Sequence, residues 1–177
     1  MLKILFLFTA LLVSGASYAD SPRDPYKFFF NETWGDYAEE IENARAAGKK
    51  GILLFFEMDE CPFCHYMKKN VLNQAEVQKY FQDNFLNFSI DIEGDIAITT
   101  PEGKHMKQKE FAFQTRVRAT PVFLIYDLNG KPIHRHTGKT AGVSEFMWIG
   151  EYIIDDHYKK MKYIPFKKQK RKELEKK

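Results

Sequence analysis

Ile52-Leu53-Leu54-Phe55-Phe56, entered through Gly51 and followed by Glu57-Met58, offers apolar side chains to both faces of a strand. That is the pattern of a strand central in a sheet covered on both sides. Upstream, Tyr37, Ile41, Ala44 and Ala47 recur at helical spacing from Asp36, with Gly48 as the stop, and predict an amphipathic helix of about three turns. Downstream, Phe63, Met67 and Val71 share one helical stripe, while Lys68, Lys69 and Asn70 are expected to face solvent. A further helix carries Val77, Tyr80 and Phe81, and Phe85 to Asp91 reads as a strand, which completes a strand–helix–strand crossover with parallel strands. Residues 92–106 lack helical period and hold turn signals at Gly94 and from Pro101 to Gly103, so an inserted surface loop or hairpin is expected. Lys107 to Phe113 predicts a short helix, and Val122 to Tyr126 a strand. The Asn129-Gly130 turn folds Pro132 to His136 back antiparallel to it. A last helix, Val143 to Tyr158, turns Phe146, Ile149, Ile153 and Ile154 inward.

A chain of 177 residues with 44% hydrophobic content supports one domain with a sizeable core and excludes disorder throughout. Residues 1–19 stand apart. Lys3 gives a positive start, Ile4 to Val13 an apolar stretch, and Ser17-Tyr18-Ala19 the small residues of a cleavage site, the signature of a secretory signal cut before Asp20. Residues 20–34 then form a turn-rich leader, and Tyr26 to Phe30 is apolar enough to lie against the domain. The net charge of +3 is unevenly spread: residues 159–177 carry +8 and residues 20–158 carry −6. The body is acidic and gives no support for nucleic-acid binding. The basic tail, 159–177, reads as a solvated helix end, its functional alternative being attraction to anionic lipid headgroups or an acidic partner.

Cys61 and Cys64 are the only cysteines. Two thiols three residues apart, where a buried strand gives way to a helix, can open and close a disulfide with little backbone movement. A loop this small removes little chain entropy, so exchange is favoured over a structural staple. At the helix N-terminus, unpaired N–H groups and the positive end of the dipole favour a thiolate at Cys61. Pro62 suits the first helical position, having no N–H to leave unpaired.

The order strand, Cys61-Pro62-Phe63-Cys64, helix, strand, helix, then Ala119-Thr120-Pro121-Val122-Phe123 and an Asn-Gly hairpin, resembles the thioredoxin superfamily over residues 35–158. The signal, the Gly48-Lys49-Lys50-Gly51 entry and the insertion are similar to exported thioredoxin-related proteins of the type associated with bacterial sulfur oxidation. The resemblance implies an α/β thioredoxin-like fold, a central mixed sheet of four to five strands flanked by helices, with the insertion ahead of the cis-proline strand. It implies a periplasmic, monomeric thiol-disulfide oxidoreductase, more a reductant than an oxidant, that needs no cofactor or metal. Cys61 would be the exposed nucleophile and Cys64 the buried resolving thiol of a Cys61–Cys64 disulfide. Thr120 and a cis Pro121 would bind an extended substrate segment, and the partners would be disulfide or dithiol proteins and a membrane-embedded thiol donor or acceptor. Thioredoxins keep a buried aspartate where this chain has Phe55, and Glu57, two positions along, is the nearest replacement without clear reach to the sulfur. Pro62 and Phe63 tune the pair. Phe63 cannot donate to a thiolate, so the potential is expected between about −270 and −120 mV.

Other chemistries compete for the same residues. Cys61 to His65 satisfies C-x-x-C-H, the attachment motif of c-type haem, with His65 as proximal and Met106 as distal ligand. A redox-inactive binding module that keeps the fold is a further alternative. His134 and His136 share a strand face and, with the cysteines, could hold a metal, although alternating histidines on an edge strand are ordinarily solvated. Asp59 and Glu60 read as a solvated rim beside Cys61.

Overall fold

The computed structural model describes residues 22–176, so the expected signal over 1–19 lies outside the described residues. Four strands form the main sheet in the order β2-β1-β5-β6, from β1 (Gly51–Glu57), β2 (Phe85–Asp91), β5 (Val122–Asp127) and β6 (Pro132–Thr137). β1 runs parallel to β2 and antiparallel to β5, which is antiparallel to β6. The parallel pair is joined through α3 (Pro62–Asn70) and α4 (Ala75–Asn84). All seven residues of β1 are buried, as its unbroken apolar pattern predicts.

Alternation along β1 divides the interior in two. Leu53 and Phe55 face a layer built by α3, α4 and α6 (Val143–Ile154). Ile52, Leu54 and Phe56 face α2 (Tyr37–Ala46) and α5 (Gln108–Gln114). The insertion is a hairpin, β3 (Ala97–Thr99) with β4 (His105–Lys107), on the second layer, where Ile98 is buried. Gly130 takes φ +70° in the β5–β6 turn, and a Cβ there would lie 2.7 Å from the Pro101 carbonyl oxygen. Helix α6 stops at Ile154, earlier than its apolar pattern predicts, because Asp156 adopts a left-handed conformation, φ 58°.

Both flanks of the domain pack against it. The leader forms α1 (Pro25–Phe28) and buries Phe29 and Phe30. Phe30 stacks on Phe55 at 5.6 Å between ring centroids. The basic tail is not the solvated end expected. It forms α7 (Tyr163–Glu175), which buries Phe166 against Tyr152 and His157. Lys167 and Arg171 pair with the buried Glu145 of α6, and Lys170 with Glu151 at 2.7 Å. An aromatic foothold and matched carboxylates anchor a segment whose charge alone reads as solvated.

His134 and His136 are correspondingly not solvated. Their rings pack against Tyr163, and His134 also against Tyr152. Neither Nε2 atom has a hydrogen-bond partner among the described residues. Burial, with the neighbouring His136, pushes His134 down to about 4. Burial also lowers His136, with Lys167 in the same sense and Glu145 opposing. Because the folded value lies below the ordinary 6.5, the His134 contribution to stability is complete above that pH and fades as pH falls towards 4. The fall corresponds to on the order of 3 kcal/mol. Urea midpoints followed by tryptophan fluorescence should therefore drop between pH 7 and pH 4.5. His134→Phe, which keeps a ring against Tyr163, should flatten that drop.

Candidate functional site

Cys61 stands at the junction of β1 and α3. It caps the helix in an extended conformation, and its sulfur accepts from the Cys64 amide at 3.0 Å. Pro62 follows in the first turn, where a missing N–H leaves nothing unsatisfied. The two sulfurs are joined in a disulfide, with the Cα atoms 5.2 Å apart. The Thr120–Pro121 bond is cis, and the Thr120 hydroxyl donates to the Cys61 sulfur at 3.1 Å. The Gly138 amide donates to the Pro121 carbonyl at 2.8 Å, which ties the next loop to the same corner. There Lys139 lies over the Tyr66 ring at 4.4 Å. Four of the residues singled out from sequence, Cys61, Cys64, Thr120 and Pro121, therefore meet in one place.

The expected contrast between an exposed Cys61 and a buried Cys64 is absent in the disulfide form, where they are 2% and 1% exposed. What separates them is hydrogen bonding. The Cys61 sulfur accepts from an amide and a hydroxyl, and no donor reaches Cys64 sulfur among the described residues. The two sulfurs therefore differ in hydrogen bonding and not in exposure.

Two expectations for α3 are corrected. Phe63 is 53% exposed and lies outside the core, because Cys64, Met67 and Val71 form the buried stripe instead. Lys68 turns away from solvent and donates to Glu57 at 2.6 Å. Glu57 also accepts from Tyr26 at 3.1 Å and from Ser89. Phe55, where thioredoxins carry an acid, lies between Phe30 and Phe123 in the layer that holds the cysteines. Sequence reading missed Lys68, Tyr26 and Ser89, although the four-residue step from Cys64 to Lys68 already places both on one helix face.

The remaining candidates disperse. Asp59 and Glu60 are exposed, as a rim would be. His65 is exposed, with Nε2 3.2 Å from the Asp59 carbonyl oxygen. Met106 packs on the opposite layer of the sheet from the cysteines, so His65 and Met106 cannot face one iron. The histidine pair on β6 packs under α7, while the cysteine sulfurs are bonded to each other.

A family model described as thioredoxin-like domain matches residues 37–154. The chain belongs to the thioredoxin-like family. Among relatives it is 28% identical over 117 residues to the disulfide bond reductase DsbH of Chlamydia pneumoniae, a match covering 66% of this chain and 69% of that protein. Among solved structures it is similar to a thioredoxin-fold protein from Helicobacter pylori, with 25% identity, a TM-score of 0.55, and coverage of 70% of this chain and 80% of that one. A thioredoxin from Thermus thermophilus matches with 25% identity and a TM-score of 0.53, over 72% of this chain and 88% of that one. Family and Cys61–Cys64 pair together make this thioredoxin-like protein a thiol-disulfide oxidoreductase. The narrower likeness to proteins of bacterial sulfur oxidation gains no support from these relatives. No described helix is long and apolar enough to cross a membrane.

Proposed function

We propose that this thioredoxin-like protein is exported, with residues 1–19 removed, and reduces disulfides in other exported proteins. Cys61 attacks a substrate disulfide, forming a mixed disulfide and releasing one substrate thiolate. Cys64 then attacks the Cys61 sulfur, expelling the second substrate thiolate and leaving the Cys61–Cys64 disulfide. Thr120 and Pro121 present backbone to the substrate beside the reacting sulfur. The observation that carries the reading is the pair of donors, Cys64 N–H and Thr120 hydroxyl, aimed at the Cys61 sulfur from a helix N-terminus. The relative named as a disulfide bond reductase supports the reducing direction. A reductant in an oxidising compartment must be recharged, so a membrane-embedded thiol donor is part of the proposal, as is attraction of the outward α7 lysines to anionic headgroups.

The test is insulin reduction with dithiothreitol as electron source, together with the equilibrium potential of the cysteine pair. Turbidity is expected well ahead of dithiothreitol alone, and the potential nearer about −270 mV than −120 mV. A potential at the upper end would overturn the reductant reading; no acceleration would overturn exchange altogether.

A further inference from the structure

Two imidazoles lie under α7 in surroundings that suit only their neutral form. His134 and His136 stand two residues apart on β6, so both turn the same side of the strand to α7. The Tyr163 ring is 4.8 Å from His134 and 6.2 Å from His136, and Tyr152 of α6 is 5.4 Å from His134, measured between centroids. Phe123 of β5 closes the His136 side at 6.2 Å. Both Nε2 atoms are buried in this aromatic enclosure, and neither has a partner among the described residues. A proton added there finds neither water nor an acceptor.

The charged groups around the pair give little relief. Glu145 of α6 favours a charge on His136, but Lys167 and Arg171 of α7 already engage its carboxylate, and Lys167 opposes that charge directly. A charged His136 opposes one on His134. Arg135, between them on the strand, donates to the Thr115 and Arg116 carbonyls. The cover itself is separable. Helix α7 adds no strand to the sheet and lies beyond the family-matched segment that holds the disulfide. It is seated by Tyr163, Phe166 and ion pairs to α6 alone.

We infer that α7 is an acid-released cover: protonation of His134 and His136 lifts Tyr163 and Phe166 off β6 and α6 while the sheet and the disulfide stay folded. Lifting α7 gives both imidazoles water and takes Lys167 and Arg171 away from Glu145. The open form therefore binds protons that the closed form refuses, and falling pH favours it. Strand β6 leads directly into Gly138, whose amide holds the Pro121 carbonyl, so the surface uncovered borders the disulfide corner. The inference is independent of the direction in which the disulfide passes electrons.

The experiment is amide hydrogen exchange of the full chain in its disulfide form at pH 7, 6 and 5, read by mass spectrometry as protection relative to the unfolded rate at each pH. Protection of residues 163–175 should fall by roughly 20-fold or more from pH 7 to pH 5. That is the factor His134 alone supplies when its ordinary 6.5 in the open form is set against about 4 in the closed form. At every pH, β1 and β5 should stay at least about tenfold better protected than α7, because the helix opens on its own. Replacing both rings, His134→Phe with His136→Phe, should hold the protection of α7 within about threefold across the range. Glu145→Gln should lower that protection at every pH and keep the fall. Equal protection of α7 and β1 would overturn the proposal, since only whole-domain unfolding would then expose the helix. So would a fall undiminished in the double histidine variant, or one abolished by Glu145→Gln, which would make the ion pairs the trigger. Should the double variant not fold, His134→Phe decides alone, and a fall as large as that of wild type is fatal. Arg135, Glu151 and His157 are common to every variant.

Discussion

Cys61→Ser should reduce insulin reduction to the dithiothreitol background, a loss of roughly a hundredfold or more, because the remaining Cys64 thiol has no partner in the site to complete the exchange. Cys64→Ser should behave differently. It leaves the attacking sulfur and its Thr120 donor in place, so the first step proceeds and the second cannot. The variant should therefore accumulate a covalent adduct with its substrate, visible as a mass increase on non-reducing analysis and lost on adding dithiothreitol. Equal activity of wild type and Cys61→Ser, or adducts trapped by Cys61→Ser instead of Cys64→Ser, would reverse the proposed roles. The burial of both cysteines makes the second outcome a real contest, since accessibility does not favour Cys61 and hydrogen bonding alone does.

Phe146→Ala should be the most damaging substitution away from the sulfurs. Its ring is fully buried and stands 4.5 Å from Phe81, 5.0 Å from Phe123 and 6.1 Å from Phe29, measured between centroids. One side chain thus ties α6 to α4, to β5 and to the leader. Removing it takes away transfer free energy and leaves a cavity that four elements would have to collapse into, about 3–5 kcal/mol. For a chain of this size that is a fall in melting temperature of roughly 8–15 °C. Because the ring takes no part in the exchange itself, insulin reduction at 25 °C should survive in the fraction that stays folded. A change in melting temperature below 3 °C would mean that Phe146 does not knit these elements together.

Most of the frame was legible because its signals are local. The unbroken apolar run of β1, the Asn129-Gly130 turn and the crossover through two helices each read correctly from a few neighbouring residues. The hairpin, Ala97 to Lys107, is one of the two forms that a stretch without period allows, and it reaches one residue past 106. Sequence failed where burial depends on a distant partner. Lys68 has the spacing of a solvated position on α3, and only the carboxylate of Glu57 and the phenol of Tyr26, 42 residues upstream, draw it in. The β6 histidines read as solvated because a strand pattern does not say what will cover it; α7 covers them. The aromatics from Tyr163 to Phe166 read as packing residues and do seat the tail; the rest of it misled through composition, because its charge reads as solvated while Lys167, Lys170 and Arg171 find carboxylates on α6. Phe63 shows the reverse error: an apolar residue at core spacing that stays outside because the buried stripe of the helix runs through Cys64, Met67 and Val71 instead.

The stretch shared with relatives, 37–154, is smaller than the body that holds itself together. Cut at those limits, the polypeptide would lose the rings of Phe29 and Phe30 from above the sheet and the cover of α7 from β6, baring Phe55, Phe81 and His134 to water. Kinship and self-sufficiency have different borders here, and a fragment trimmed to the first should be insoluble while the chain from residue 22 onward is not.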